Sequence, residues 1–446
     1  MTPGHPLRAL LANETQALAP TWIGCVLAGS AAALSGGDVR RFSTFAFIAA
    51  TASLGALSIG HEYGHRTLHL MLTLPISRVR LFLIKLAVLA AMVLPLAAGA
   101  WWLGLFAELP ALAWLLAAGT LCFAPALTML CRGQLAGLIF SLSLPGAALV
   151  AVMIATRTPL AAPPPLATWS RVMVVLLAGG AALGWRLFMR LESIDGGAAG
   201  IHVPWWTRTR QGGTATHPLW QLLKKEWRLQ QMTFAVTVLY VVACTAAAVF
   251  HVPGPDINVS FIGAITVVYA MGLPALIGSL ATAEERQLGT LTWQLQLPIP
   301  AWQQWTAKTV TTFGLSLLLS SGLPFFLVSV FWPTEGAFVG MSPIVPIATT
   351  AVSMYTSSLC STAVRAVVTS VVAVPLALWL MLIPGVLRRH DALFGVLVAA
   401  VVLLLLRFAF LNHRPEQPTA PRIARQTLSI AALVAVGLVI VRAARF

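Results

Sequence analysis

Long apolar runs alternate with short polar ones along this chain, and one of the polar interruptions occurs twice. Apolar stretches at about 18–35, 42–60, 81–105, 110–131, 135–156 and 171–190 each approach the ~20 residues that a helix needs to cross about 30 Å of hydrocarbon. A second set follows at about 232–250, 259–282, 308–332, 343–361, 366–387 and 392–412, with one more at 427–442. The pattern predicts six spans and then seven. Between the second and third span of each set lies the repeated interruption, HEYGHRTLHLMLTLPISRVRLFLIK from His61 to Lys85 and AEERQLGTLTWQLQLPIPAWQQWTAK from Ala283 to Lys308. At a shift of 223 positions the two share Glu62/Glu285, Thr67/Thr290, Leu68/Leu291, Leu72/Leu295, Leu74/Leu297, Pro75/Pro298, Ile76/Ile299 and Lys85/Lys308. Roughly two or three matches would arise by chance over such a length, so the chain reads as an internal duplication.

A second repeated phrase opens each set. HPLRALLANETQ, from His5 to Gln16, puts Leu7, Leu10, Leu11 and the following Leu18 on one helical face and Arg8, Asn13 and Glu14 away from it. That is the pattern of a helix lying in the membrane interface. It returns as HPLWQLLKKE, with His5/His217, Pro6/Pro218, Leu7/Leu219, Leu10/Leu222, Leu11/Leu223 and Glu14/Glu226 shared at a shift of 212. The second half therefore gains 11 residues before its polar interruption, which the reading assigns to the loop from His251 to Ser260. IDGGAAG and RQGGTAT mark a Gly- and polar-rich linker. The expected organisation is a first transmembrane half at 1–190, a cytoplasmic linker at 191–216 and a second half at 217–446. The fold class expected is an all-α polytopic membrane protein. It has two parallel repeats of six transmembrane helices, related by an axis along the membrane normal, plus one extra C-terminal span.

Composition fixes the solvent. Charged residues make up 9% of the chain, against roughly 25% in a soluble domain, and 58% are hydrophobic, which excludes an ordinary soluble enzyme. The net charge of +15 comes from basic residues scattered between apolar runs, so cytoplasmic loops explain it and nucleic acid is not an expected partner. Arg66, Arg78, Arg80, Arg132, Arg208, Arg210, Lys224, Lys225 and Arg286 fall on one side, which sets the N-terminus in the cytoplasm; Arg40, Arg41, Arg157, Arg388 and Arg389 fall on the other. Cys25, Cys122, Cys131, Cys244 and Cys360 form no CxxC pair and read as packing residues.

In both interruptions an acidic residue follows an apolar span, and leucines recur at i and i+4 before a Leu-Pro break. The expected form is a cytoplasmic helical hairpin with an exposed acidic end and a partly apolar face, displayed twice, which suits a two-fold partner. The pattern runs as an acidic residue, Gly289-Thr290-Leu291, leucines and then Leu-Pro-Ile, in the loop after the second span and downstream of an interfacial helix. It resembles the permease subunits of type 2 ABC exporters, also grouped as type V, with two permeases fused in one chain. The resemblance implies that the hairpins are coupling helices contacting two cytoplasmic nucleotide-binding ATPase subunits, and that each opening helix is an elbow helix. Carried onto this chain, the ATPase contact comprises Glu62, Thr67, Leu68, Leu72, Leu74 and Pro75, then Glu284, Glu285, Gly289, Thr290, Leu291, Leu295, Leu297 and Pro298. It further implies that the second and fifth spans of each half line a cavity for a hydrophobic or amphiphilic substrate, and that the protein lies in a bacterial inner membrane.

A phosphate-binding loop needs Gly-Lys followed by Ser or Thr. The lysines here are Lys85, Lys224, Lys225 and Lys308, and none follows a glycine. No cofactor is expected in this chain, and ATP and Mg belong to the partner subunits. Two other classes compete. His61-Glu62-Tyr63-Gly64-His65 is a literal HExxH, the spacing by which an intramembrane zinc protease would hold metal on His61 and His65 with Glu62 as base. Against it, the second copy has Glu284 and Leu288 at the histidine positions, and Asp195, a possible third ligand, falls in the linker. An ion-driven secondary carrier is the other alternative; it would use buried ionisable residues, which the apolar runs nearly lack.

Overall fold

The structure is a computed structural model of the 446-residue chain. It describes residues 6–34, 37–65, 67, 71, 73, 76–106, 111–131, 133–156, 166–191, 218–249, 255–290, 299–331, 343–382, 391–413 and 419–443. These residues are helices and turns with no strand among them. Two compact units emerge, one of Met1–Thr209 with Val252–Asn258 and the other of Arg210–His251 with Val259–Phe446.

The first unit contains α1 (Pro6–Leu34), α2 (Gly37–His65), α3 (Arg78–Trp102), α4 (Ala111–Cys131), α5 (Gln134–Thr156) and α6 (Leu166–Met189). Internal prolines at 20, 95, 125 and 145 do not end these helices; packed neighbours in a bundle tolerate such breaks in the hydrogen-bond ladder. α1 packs on α2 and α3, α2 lies against α4 and α5, and α4 meets α6. Gly55 allows the α2–α4 approach, because a Cβ there would run into the Thr120 carbonyl and the Ala124 methyl.

The second unit contains α7 (Pro218–Leu229), α8 (Gln231–Val249), α9 (Pro255–Leu288) from Val259 onward and α10 (Ala301–Leu317), which passes through a π turn at Leu318–Gly322 into α11 (Leu323–Phe331). Then come α12 (Ile344–Leu359), α13 (Ala363–Leu382), α14 (Asp391–His413) and α15 (Ala420–Ala443). α12 is buried on every side from Ala348 to Ser358, as befits the centre of a bundle, with α10, α13 and α14 packed on it. Gly278 repeats the role of Gly55 at the same 223-residue shift: a Cβ there would lie 2.7 Å from Ser353 Cβ and 2.8 Å from the Thr350 carbonyl.

The protein is thus a helical, polytopic membrane protein. Eight helices among the described residues are long and apolar enough to span a membrane, or nine if α7 and α8 form one bent span, against the thirteen read from the sequence. Over their described residues α5, α12 and α13 count as shorter apolar helices. The expected seventh span of the second half, α15, is a helix but is not among the eight; it carries Arg422, Arg425 and Gln426 in its first two turns.

Two expectations are corrected. The opening helix of the first half is not separate from its span, since α1 runs unbroken for 29 residues. In the second half α7 and α8 are bent by 53°. The bend falls at Gln230, whose amide donates to the Ile277 carbonyl while its oxygen accepts from Thr233. The corresponding position of the first half is the buried Leu18, which offers no such bonds. The insertion assigned to a loop at 251–260 is also partly helical, because α9 begins at Pro255 and reaches 34 residues where α2 has 29. Residues 251–254, the linker at 192–217 and the segment 157–165 lie outside the described residues.

Candidate functional site

Lys85 stands seven residues into α3, about 10 Å from its start along the axis. A charge inside an apolar helix must find partners, since burying it alone is prohibitive. Its Nζ lies 2.5 Å from Glu14 Oε1 on α1 and 3.3 Å from Glu62 Oε1 near the end of α2, and donates to the Ser58 carbonyl at 3.3 Å. Glu62 also accepts from the Thr67 hydroxyl and has His61 Nε2 at 3.1 Å. Glu14, Glu62 and Lys85 are all buried. One lysine therefore ties the opening helix, the end of the second helix and the start of the third.

The second unit builds the same knot. Lys308 also stands seven residues into its helix, α10. Its Nζ is 2.8 Å from Glu285 Oε2 on α9 and 3.3 Å from Glu226 Oε1 on α7, and it donates to the Ala281 carbonyl. Each partner is the repeat equivalent of the first: Glu14/Glu226, Glu62/Glu285, Lys85/Lys308, and even the accepting carbonyl, Ser58/Ala281. Two differences stand out. His61 becomes Glu284, and a second cation, Lys225, enters at 2.5 Å from Glu285 Oε1, where the first half has Asn13. Each carboxylate pair thus holds one lysine in common, and only the second unit adds another.

The expected exposed acidic end is overturned in both copies. Glu62 is 5% exposed and Glu285 0%, because each is neutralised from within by the lysine of the following helix. Thr67 is half-buried against Glu62, and Thr290 donates to the Glu285 carbonyl at 3.4 Å. Glu284 is half-buried. Gly289 is exposed with φ +69°, the left-handed conformation that stops α9. The Gly of the Gly-Thr-Leu signature is therefore a helix terminator. Leu68, Leu72, Leu74, Pro75, Leu291, Leu295, Leu297 and Pro298 lie outside the described residues.

Sequence reasoning missed several residues that hold the end of α9 in place. The Arg286 guanidinium donates to the carbonyls of Ser358 (2.6 Å) and Cys360 (3.3 Å) at the end of α12 and of Asn412 (2.7 Å) at the end of α14. A cation there also suits the negative ends of both helix dipoles. The Ser357 hydroxyl inserts into the α9 ladder, donating to the Ser279 carbonyl and accepting from the amides of Thr282 and Ala283. The first unit uses another device, Gln134 Nε2 donating to the Gly60 carbonyl at 2.6 Å. A lysine seven residues inside an apolar span was the available signal for the charge knots; nothing in the spacing marked Ser357 or Arg286.

The HExxH reading meets the same geometry. The ligand atoms of Glu14, His61 and Glu62 lie within 4.8 Å of one another, close enough for a metal. The Lys85 ammonium already bridges Glu14 and Glu62, so a divalent ion at that point would sit against a positive charge. The His65 side chain and Asp195 are outside the described residues.

Compared with known proteins, the chain matches no family model, no curated protein and no solved structure.

Proposed function

We propose that this chain is the membrane subunit of an ATP-driven ABC exporter for a hydrophobic or amphiphilic substrate, two permease halves fused, working with a separate pair of cytoplasmic ATPase subunits. One observation carries the reading. A buried Glu-Lys-Glu knot recurs in both units at positions paired by the sequence repeat, at the base of each polar hairpin. It supports the duplication. It also supplies what a coupling device needs, a stiff junction joining the hairpin to the opening helix and to two spans. In this reading the glutamates do not touch the ATPase. They hold the hairpin, and the contact falls to the apolar residues beyond them, Leu68 and Leu72 in the first copy and Leu291 and Leu295 in the second.

The test is purification of the tagged chain from its native membrane with mass spectrometry of stoichiometric partners. Two copies of a P-loop ATPase are expected per chain, and their loss from the Leu68→Asp/Leu291→Asp variant. An ATPase-free preparation that transports its substrate after ATP depletion would instead establish a secondary carrier. That alternative gains one point from the structure, since Glu62, Lys85, Glu285 and Lys308 lie inside candidate spans, where ionisable residues are expensive and functional. The zinc reading gains the three-ligand cluster and loses it to Lys85; one zinc bound per chain would restore it.

A further inference from the structure

The described part of α7 divides its residues between two faces. Leu222 and Glu226 are buried, and Glu226 joins the Lys308 knot. Trp220, Lys224, Trp227 and Arg228 are all exposed and fall at helical spacings of four, three and one, within about a third of the circumference. This helix leads through the 53° bend at Gln230 into the apolar α8. A short amphipathic helix turned sharply off a span lies at the membrane surface, where indole rings settle at headgroup level and cations reach lipid phosphate. Two tryptophans interleaved with two cations on one outward face make an anion-binding site beside an aromatic floor.

The chain carries its own control. At the 212-residue shift the same four positions of the first half are Arg8, Ala12, Thr15 and Gln16, with one cation and no aromatic ring, on a helix that runs unbroken into its span. The face is therefore a property of the second half, not of the repeat. From the charge, the aromatic spacing and the bend together, we infer that the Trp220–Lys224–Trp227–Arg228 face of α7 binds the phosphate headgroup of an anionic phospholipid. The bound lipid is linked to the charge knot through the same short helix, because Lys225 and Glu226 reach Glu285 and Lys308 from its other side. The inference does not depend on what the protein transports.

The experiment places the full-length chain in nanodiscs of equal phosphatidylglycerol and phosphatidylcholine and counts lipids retained on ejection by native mass spectrometry. Wild type is expected to retain phosphatidylglycerol preferentially. Lys224→Gln/Arg228→Gln is expected to lose that preference by roughly fivefold for each cation removed. Arg80→Gln/Arg425→Gln removes the same charge from exposed positions elsewhere and is expected to retain it. A second readout is thermal unfolding: phosphatidylglycerol raises the melting temperature of wild type and of the control but not of the α7 variant, and all three melt alike in pure phosphatidylcholine. Equal retention by wild type and the α7 variant overturns the inference. So does equal loss in the charge-matched control, which would make the effect one of net charge, or displacement of the lipid by excess inorganic phosphate, which would make the site one for a free anion.

Discussion

Replacing Lys85 with methionine tests whether the charge knot is a structural junction. Met keeps much of the side chain's volume and removes only the ammonium. Glu14, 2.5 Å from that ammonium, and Glu62, 3.3 Å from it, are then left without their shared cation. At an effective dielectric near 20, each interaction is worth about 5–7 kcal/mol before desolvation. Removing one member of a buried pair leaves an uncompensated charge and nets about 3–5 kcal/mol. For a chain of this size that corresponds to a fall in melting temperature of roughly 3–5 °C, read from tryptophan fluorescence of the full-length protein in detergent. The decisive comparison is Glu14→Gln/Glu62→Gln/Lys85→Met, which removes the whole set of charges. Neutralising both carboxylates leaves no buried ion to compensate, so this triple variant is expected to recover most of the loss. A triple variant melting as low as Lys85→Met would falsify the argument, because packing and not charge would then carry the effect. Lys308→Met is expected to cost less than Lys85→Met, since Lys225 remains 2.5 Å from Glu285.

Arg286→Lys keeps the charge but not the planar fork that reaches three carbonyls on two helices; a loss of about 2 kcal/mol is expected in the same melting assay, and a variant melting with wild type would show that the positive charge alone suffices. Gly278→Ala forces a methyl to within 2.8 Å of the Thr350 carbonyl, while Gly272, earlier in the same helix, has nothing within 4 Å. Gly278→Ala should therefore cost about 1–3 kcal/mol and Gly272→Ala stabilise by about 0.5–1 kcal/mol. Equal melting of the two would remove the close crossing as the reason for that glycine.

How much of this was legible depended on what each pattern can encode. The apolar runs located most of the helices to within about five residues, because hydrocarbon thickness and helix rise set their length, but α10 and α15 each begin seven residues before the expected span. They set an opening helix apart from its span in both halves, which holds for α7 and α8 but not for the unbroken α1, since both openings share His-Pro-Leu and a leucine face and differ at the bend itself, Gln230 against Leu18. The members of the charge knots were all visible as repeated letters. Their burial was not, because a glutamate at a span end reads equally well as solvent-facing, and only the lysine on the next helix decides the matter. Ser357 and Arg286 lay beyond any periodicity argument, since their partners are backbone carbonyls and amides that every residue carries.

The two repeat offsets bear on why the knot persisted. Between Glu14 and Glu226 the shift is 212 residues, but between Glu62 and Glu285 it is 223. Eleven residues therefore separate the copies somewhere between two members of the same three-residue cluster, and yet both clusters close on one lysine at 2.5–3.3 Å. That is possible only if the added length is absorbed away from the cluster. α9 is longer than α2 by five residues, and it begins at Pro255, some 30 residues and about 45 Å of helix before Glu285. The growth thus lies at the far end of the helix, where it can lengthen the connection there without altering which carboxylates meet the lysine. A device needed at only one end of each unit would be buffered in this way, and it is the end that leads into that unit's repeated polar interruption.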